Sequence, residues 1–467
     1  RLGERHEVRL GSAVMRITDD MARQYEGFNG DLGGDIRVRR IRWVERMLWS
    51  NQLSGHHELL TAPGGDETEL ELDWSYGLAL AQRLEPDRRD ARMDYEESVD
   101  LWFLSDRPEG NERVFSALDD VAHNGRLDLT LRNTLADWLG SRRMETKLGL
   151  AAFVKDRNAE TRRYKFRPRG ELSSYGTFNG DDGIMTLPPE EAFTVENIDP
   201  NGFQITETTM ATDSYTAAQS ILGAYLMSKV PLLDPKSSQE LDMVAGLRVE
   251  SGRQVLETFK PFSPDLVPET ARLVTLDPLP AVAVNWTPRE DIKVRGGYSR
   301  TVSRPNLREL SPAISVDLTG GRLRRGNPDL RRATIDNADL RAEWYPSKGE
   351  SVSIGLFSKW FTDPIETIVI PAAQLEVSYQ NADGAVNWGV ELEGKKNFGF
   401  LSRSLRDVYL ATNLTLIQSE VKLNAEDATI NTSKKRPLEG QSPYVLNVQL
   451  GLDDVDRGTS LVALYNV

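Results

Sequence analysis

The sequence predicts an all-β chain that folds as a transmembrane, antiparallel, up-and-down β-barrel. Three observations support this fold class: apolar and polar residues alternate along the whole chain, tight turns contrast with long polar connections, and no apolar run is long enough for a membrane helix. The longest run without a charged residue is 214–228, and it contains Ser, Thr and Gln. A spanning helix needs about 20 predominantly apolar residues. We therefore expect strands rather than helices.

The alternation is clearest in residues 69–80. One parity carries large apolar side chains, namely Leu70, Leu72, Trp74, Tyr76, Leu78 and Leu80. The other parity is polar or small, as expected of a strand with one apolar and one polar face. Residues 127–132, 351–356 and 446–452 follow the same pattern.

Residues 37–48 are the best candidate for a helix. Val38, Ile41, Val44 and Leu48 approximate helical spacing, and the five arginines of the segment would then form a basic face that binds a membrane surface or nucleic acid. However, the apolar residues at 41, 43, 47 and 49 share one parity. We prefer the strand.

The connections between predicted strands are of two kinds. The sequence Asn381-Ala382-Asp383-Gly384 predicts a tight hairpin, because Asp-Gly supplies the positive φ that such turns require. Residues 155–213 and 306–336 instead predict long polar loops, which are uncommon in compact soluble domains. Short turns at one end and long loops at the other are typical of a transmembrane barrel.

A soluble sandwich, propeller or solenoid uses the same alternation, so this pattern favours a membrane barrel only slightly. The absence of a fixed repeat period argues against propellers and solenoids. The composition narrows the functional classes: 57 basic and 71 acidic residues give a net charge of −14, which argues against a general nucleic-acid binder. With no cysteine, the chain has no disulfides, thiolate nucleophile or Cys-ligated metal.

Candidate catalytic and metal-binding residues are few. The four histidines form no metalloprotease motif, and neighbouring His56 and His57 would point to opposite faces of a strand. The pairs Asp181-Asp182 and Asp453-Asp454 are typical of solvated turns, although carboxylates also bind hard cations. We predict that the chain is not an enzyme and has no catalytic, cofactor-binding or metal-binding residues, and the sequence identifies no substrate-binding residue.

Aromatic residues recur near predicted strand ends and favour the membrane interpretation modestly. In a barrel they would form girdles at the two interfaces, whereas in a soluble protein they would pack in a β-core. The residues concerned are Trp344, Tyr345, Trp360, Phe361, Trp388, Tyr409, Tyr444 and Tyr465.

Four segments, in order along the chain, resemble TonB-dependent outer-membrane receptors. They are residues 294–310 (VRGGYSRTVSRPNLREL), residues 326–345 with their GNPDL and DNADL sequences, residues 387–394 (NWGVELEG) and residues 440–444 (GQSPY). In the third segment, Val390 and Leu392 would face lipid while Glu391 and Glu393 face the lumen. The resemblance covers most of the chain and is firmest from about Gly246 onward.

The resemblance implies a 22-stranded barrel that is filled by a plug domain. We expect residues 1–467 to be an incomplete barrel of about 18 strands, since a strand-turn-strand-loop unit takes roughly 50 residues. No signal peptide, plug or final strands are recognisable in the sequence. The expected location is the outer membrane of a Gram-negative bacterium.

The resemblance also implies active uptake of a large, scarce nutrient such as a metal chelate, vitamin or glycan. The expected partners are the extracellular ligand, the inner-membrane TonB complex acting through the plug, and outer-membrane lipid and lipopolysaccharide, but no nucleic acid. A passive porin-like channel, a surface-binding barrel and a soluble β-rich binding protein stay open as alternatives. The basic cluster Arg162, Arg163, Lys165, Arg167 and Arg169 would steer an anionic ligand or, more simply, be solvated or contact lipopolysaccharide.

Overall fold

The structure of the chain is a computed structural model. It describes residues 5–30, 33–60, 68–107, 110–134, 143–169, 183–233, 237–261, 266–316, 323–370, 376–423, 435–454 and 456–467. Its helices are short: α1 (Gly183–Thr186), α2 (Pro189–Ala192) and single 3₁₀ turns at Val195–Asn197, Ala211–Asp213, Phe398–Phe400 and Arg403–Leu405. None of the described helices is long and apolar enough to cross a membrane.

The dominant element is a large antiparallel sheet. Its strands are β1 (His6–Asn29), β2 (Gly34–Leu60), β3 (Glu69–Glu96), β4 (Leu101–Leu104), β5 (Glu112–Thr134), β6 (Arg143–Pro168), β7 (Phe203–Glu207), β8 (Tyr215–Pro231), β9 (Glu240–Phe259), β10 (Pro268–Arg289), β11 (Ile292–Ser303), β14 (Ala333–Trp344), β15 (Ser351–Thr362), β18 (Gly384–Asn397), β19 (Val408–Lys422), β20 (Lys435–Arg436), β21 (Tyr444–Asp454) and β22 (Thr459–Asn466). A separate small sheet contains β12 (Ser315–Val316), β13 (Leu323–Arg324), β16 (Ile365–Ile370) and β17 (Glu376–Asn381).

The large sheet is an up-and-down meander. Among the described residues it has 18 strands, near the number expected, although β4, β7 and β20 are short additions to β3, β6 and β19. The remaining strands pair antiparallel in chain order from β1 to β22. The alternating segments at 69–80, 127–132, 351–356 and 446–452 all lie in these strands, as predicted. Residues 37–48 belong to β2, so the helical interpretation is wrong.

The two ends of the meander differ in the length of their connections. One, the short-turn end, joins strands by residues 61–68, 135–142, 232–239, 290–291, 345–350, 398–407 and 455–458. The other, the long-loop end, has 97–111, 169–214, 304–332, 363–383 and 423–443, together with the shorter 30–33 and 260–267. This asymmetry is the one that the sequence predicts for a transmembrane barrel.

The two faces of the sheet differ sharply in chemistry. One, the apolar face, leaves large side chains exposed, among them Leu150, Leu222, Leu226, Leu247, Leu276, Ile354, Leu356 and Leu392. The other, the polar face, carries ion pairs between neighbouring strands, such as Arg157 with Asp120 at 2.7 Å and Arg132 with Glu145 at 2.9 Å. An apolar surface of this extent is matched by lipid hydrocarbon rather than by water.

The connection between β11 and β14 folds back onto the polar face. We call its described residues, 304–316 and 323–332, the arm. Leu307, Leu310 and Leu330 of the arm are buried against Ala217, Leu256 and Ala271 of β8, β9 and β10. Full burial of a leucine side chain contributes about 1.5–3 kcal/mol, so this contact anchors the arm to the strands beneath it.

Three predictions about connections are wrong in whole or in part. The loop expected to begin at residue 155 begins later, because β6 continues to Pro168 and pairs first with β8 and then with β7. The expected hairpin at residues 381–384 does not exist. Residues 381–384 instead connect β17 of the small sheet to β18 of the large sheet, and Gly384 is not among the residues with positive φ. The loop expected over 306–336 ends at Arg332, where β14 follows.

The aromatic residues divide between the two faces. Six of them are exposed, with Trp360 and Trp388 on the apolar face as girdle residues would be; the six are Trp344, Tyr345, Trp360, Trp388, Tyr444 and Tyr465. Two expectations are wrong. Phe361 packs with Ala385 and Val421, whereas the ring of Tyr409 lies 4.5 Å from the Lys395 ammonium and its hydroxyl accepts a hydrogen bond from Gln449. Phe361 and Tyr409 occupy positions of their strands that face the polar side of the sheet.

The contrast between the faces predicts opposite responses to an added charge. Leu392 is 40% exposed on the apolar face, whereas Asn413 donates a hydrogen bond to Glu393 on the polar face of the same hairpin. We expect Leu392→Lys to lower the free energy of unfolding in lipid vesicles by about 2–4 kcal/mol, because it puts a charge in hydrocarbon. The matched Asn413→Lys should have little effect, because Glu393 balances the new charge. Equal losses would contradict the assignment of the faces.

A close backbone crossing in the arm predicts a strict requirement for glycine. A Cβ on Gly326 would lie 2.2 Å from the carbonyl oxygen of Ser311. We expect Gly326→Ala to displace the arm and to increase its cleavage by a protease added from the long-loop side. The control is Gly296→Ala in β11, where the nearest atom to a new Cβ is 3.8 Å away. If the Gly326 variant resists the protease as well as the control does, the close crossing is not needed to hold the arm in place.

Candidate functional site

A cavity of about 640 Å³ lies where the arm meets the polar face near the long-loop end. Strands β3, β5, β6 and β8 form one side, and the arm with Tyr379 of β17 forms the other. Its lining is strongly basic. The arginines are Arg83, Arg88, Arg157, Arg163, Arg308, Arg324 and Arg325, and the carboxylates are Glu85 and Asp213.

Carboxylates on the strands and in the 3₁₀ turn before β8 hold the arginines of the sheet in place. Arg157 donates two hydrogen bonds of 2.7 Å to Asp120, and Arg163 donates to Asp213 at 3.1 and 3.3 Å. Arg83 donates to Glu85 at 2.9 Å. A guanidinium has five N–H donors, so each of these side chains keeps donors for a ligand after it has bound its carboxylate.

Two arginines of the arm, Arg308 and Arg325, have fewer described carboxylate partners than the arginines of the sheet. Arg325 pairs with Glu376 of the small sheet at 3.2 Å. Arg308 is exposed, and no described carboxylate lies within ion-pairing distance of it. Arg308 is therefore the lining arginine best placed to exchange solvent for an anionic ligand.

A second cavity of about 490 Å³ continues from the first. Arg157, Arg308 and Tyr379 line both, and the second adds Lys155, Gln219, Gln254 and Arg304. Gln254 is 2% exposed, and its Oε1 has no hydrogen-bond partner among the described residues; the same holds for Nε of Arg304. The wall thus presents one buried acceptor and one buried donor in addition to its charges.

The arrangement fits the recognition of an anion that carries several oxygen atoms. Arginine binds carboxylate and phosphate groups through paired N–H donors, and it keeps its charge at all physiological pH values. A concave wall of one sign also concentrates ligands of the opposite charge. This lining belongs to a chain whose net charge is −14, so the basic residues are locally concentrated.

The basic cluster predicted in β6 is split by the structure. Arg163 lines the larger cavity, whereas Arg162 pairs with Glu207 of β7 at 3.3 Å and does not line it. Lys165 is 2% exposed and donates a hydrogen bond of 2.7 Å to the carbonyl oxygen of Asp106. Only alternate residues of a strand share a face, which separates Arg162 from Arg163. Lys165 shares the face of Arg163, but backbone carbonyl oxygens of residues 106 and 107 bind its ammonium group.

The remaining candidates stand apart from the cavity. His56 and His57 do lie on opposite faces: His56 bonds to Asp73 at 2.8 Å, and His57 accepts a hydrogen bond from Trp74 at 2.9 Å. Asp454 accepts a hydrogen bond from the backbone of Arg457 in the turn after β21, as a turn residue does. The pair at residues 181 and 182 lies outside the described residues.

Two acidic side chains of the long-loop end have shifted pKa values. The pKa of Glu190 in α2 is below its ordinary value, first because of a hydrogen bond from backbone and then because of Arg39, whose Nη1 lies 2.9 Å away. The pKa of Glu366 in the small sheet is above its ordinary value because burial outweighs the nearby charge of Arg436, at 2.7 Å. Neither residue lines the arginine-rich cavities.

Sequence reasoning missed most of the cavity. In β6, Arg157 and Arg163 occupy the parity opposite the exposed Leu148 and Leu150. In β3, Arg83 occupies the parity opposite Leu78 and Leu80, so a search for arginines on the polar parity would have found all three. Arg308, Arg324 and Arg325 lay within a predicted loop. No sequence signal indicated that this loop folds back over the strands, because the contacts that hold it are distant along the chain.

Comparison with known proteins places the chain within a family. The model of the family described as TonB dependent receptor-like, beta-barrel, matches residues 15–461. The iron-regulated outer membrane virulence protein of Vibrio cholerae serotype O1 is 25% identical over 202 residues, which are 43% of this chain and 28% of that protein. The chain therefore aligns with less than a third of this curated relative.

Solved structures were also compared with the chain. The siderophore receptor PirA of Pseudomonas aeruginosa has a TM-score of 0.43 at 13% identity, with 98% of this chain and 72% of that one covered. The alcaligin outer membrane receptor FauA of Bordetella pertussis has a TM-score of 0.40 at 13% identity, with 99% and 71% covered. The ferric citrate transporter FecA has a TM-score of 0.49 at 8% identity, with 96% and 64% covered.

Proposed function

The chain belongs to the family of TonB-dependent receptor β-barrels of the Gram-negative outer membrane, and from that premise we propose that it takes up an anionic metal chelate. The arginine-lined cavity is the proposed binding site. In this proposal the apolar face contacts lipid and lipopolysaccharide, the polar face lines the lumen, and the long-loop end faces the exterior. The ligand reaches the cavity from that side.

One observation carries the choice of ligand class: the larger cavity has seven arginines in its lining against two carboxylates. A neutral vitamin or glycan would gain little from this excess of positive charge, and its burial would leave guanidinium groups without partners. A chelate with several ionised carboxylate, catecholate or similar oxygen groups matches the donors. The name of the Vibrio cholerae relative, which calls it iron-regulated, accords with iron as the metal.

The cavity accounts for binding but not for energy-driven passage. We propose that residues 1–467 form part of a longer receptor, in which a plug domain occupies the lumen and transmits the pull of the inner-membrane TonB complex. Release of the ligand would then require movement of the plug. A passive porin-like channel has no such requirement, so dependence of uptake on TonB separates the two functions.

The proposal predicts that arginines of the arm select for negatively charged chelates. We expect Arg308→Gln to lower uptake of anionic ferric chelates about tenfold, and Arg308→Gln with Arg325→Gln to lower it further, because each loses charged hydrogen bonds of about 1.5–3 kcal/mol. The measurement is accumulation of radioactive iron in cells given ferric chelates of negative, zero or positive charge, with and without a functional TonB.

The matched control is Arg162→Gln, which removes the same charge from an exposed arginine outside the cavity. It should take up anionic chelates at the parental rate. The proposed ligand class is wrong if the receptor shows no preference for negative chelates, or if the arm variants match the control. Uptake that is indifferent to TonB would favour the porin.

A further inference from the structure

Both ends of the arm bind one carboxylate on the sheet. At the start of the arm, Arg304 Nη2 donates to Asp277 Oδ2 at 2.9 Å. At its end, Arg332 Nε donates to Asp277 Oδ1 at 2.5 Å. Asp277 lies in β10 and is 1% exposed, so a single buried anion joins two arginines that are separated by the whole arm.

The wall around Asp277 is shaped to receive the first of these arginines. Arg304 also donates to Glu250 at 3.0 Å and passes over Gly252, where a Cβ would lie 2.7 Å from its Nε. The next residue is fixed as well, because Gln254 donates a hydrogen bond of 2.9 Å to the carbonyl oxygen of Pro305. The start of the arm is therefore held by side chains of both β9 and β10.

These contacts determine where Arg308 lies. Arg308 is four residues beyond Arg304, and Leu307 and Leu310 on either side of it are buried in the contact with the sheet. Because no described carboxylate binds the Arg308 side chain, its place at the two cavities depends on the backbone of the arm. Asp277 itself lines neither cavity, so any effect of Asp277 on the ligand must act through the arm.

We propose that Asp277 is a positioning residue of the arginine-lined site: it fixes both ends of the arm and thereby holds Arg308 at the cavity. This inference rests on the function proposed above. Removing the charge of Asp277 leaves Arg332 without this anion and Arg304 with Glu250 alone, in surroundings where unpaired charge is costly. The arm then separates from the strands more often.

Residues 1–467 contain no cysteine, so a thiol introduced into the arm is unique in this part of the receptor. Ser311 lies in the arm and is 1% exposed, so a cysteine introduced there by Ser311→Cys should react slowly with a water-soluble thiol reagent. In the complete receptor purified from outer membranes, we expect Asp277→Asn to speed this reaction by about tenfold or more, because a buried ion pair is broken. Heat-modifiable migration in gels would verify that the barrel has folded.

Two further variants make the labelling test specific. Asp128→Asn is the matched control, since Asp128 is also buried on the polar face and pairs with Arg126, but it contacts neither the arm nor its anchors. It should leave the labelling rate unchanged. If Asp277→Asn fails to fold, Arg332→Gln removes the ion pair between Arg332 and Asp277 by changing the partly exposed partner. This variant should also speed labelling.

The positioning role is tested by a double-mutant cycle with the anionic ferric chelate that cells take up best in the charge panel. We expect Asp277→Asn to weaken binding of this chelate in the parent but to have no further effect once Arg308→Gln is present. Slow labelling in Asp277→Asn, or an equal loss of affinity with and without Arg308, would overturn the inference. Full binding by Arg308→Gln itself would instead show that the proposed ligand site is wrong.

Discussion

Each strand of the large sheet must suit two surroundings at once, and the rest of the structure depends on this constraint. Successive side chains of a strand point to opposite faces, so one parity meets hydrocarbon and the other meets water or protein. In β18, Leu392 is exposed on the apolar face while its neighbour Glu393 binds Arg341 on the other. A chain with 27% charged residues can thereby cross a membrane without a long apolar segment.

The same constraint concentrates charge on the polar face. Charged residues that cannot face lipid lie close to one another on adjacent strands, and they form ion pairs such as Arg157 with Asp120 and Arg132 with Glu145. Near the long-loop end the arginines outnumber the carboxylates that line the cavity. The proposed binding site lies where these ion pairs leave guanidinium donors unused, and the arm closes that region into a cavity.

The sequence predicts the fold well because alternation is a local signal. It identifies β2 correctly at residues 37–48, where helical spacing competes, and it places Val390 and Leu392 on the face opposite Glu391 and Glu393. It fails at residues 381–384, where the Asp-Gly pair is typical of a hairpin but the two flanking strands belong to different sheets. The sequence of a turn does not determine whether the two strands that flank it pair with each other.

The site is less predictable than the fold for a related reason. The sequence identifies Arg163 as part of a basic cluster, but its neighbour Arg162 faces the other side of the strand. Arg308 could be seen only as a loop residue, because its position follows from the binding of Arg304 and Arg332 to Asp277, which lies in another strand. Such contacts between distant residues leave no periodic trace in the sequence.

The proposed function depends on the binding of an anionic chelate among the arginines of the long-loop end. Anomalous diffraction at the iron absorption edge, from crystals of the complete receptor with the ferric chelate that cells take up best, would locate the metal directly. We expect an iron peak where the two cavities meet, beside Arg157, Arg308 and Tyr379. A peak elsewhere on the polar face or on the outer loops, with these arginines bound only to protein carboxylates, would contradict it.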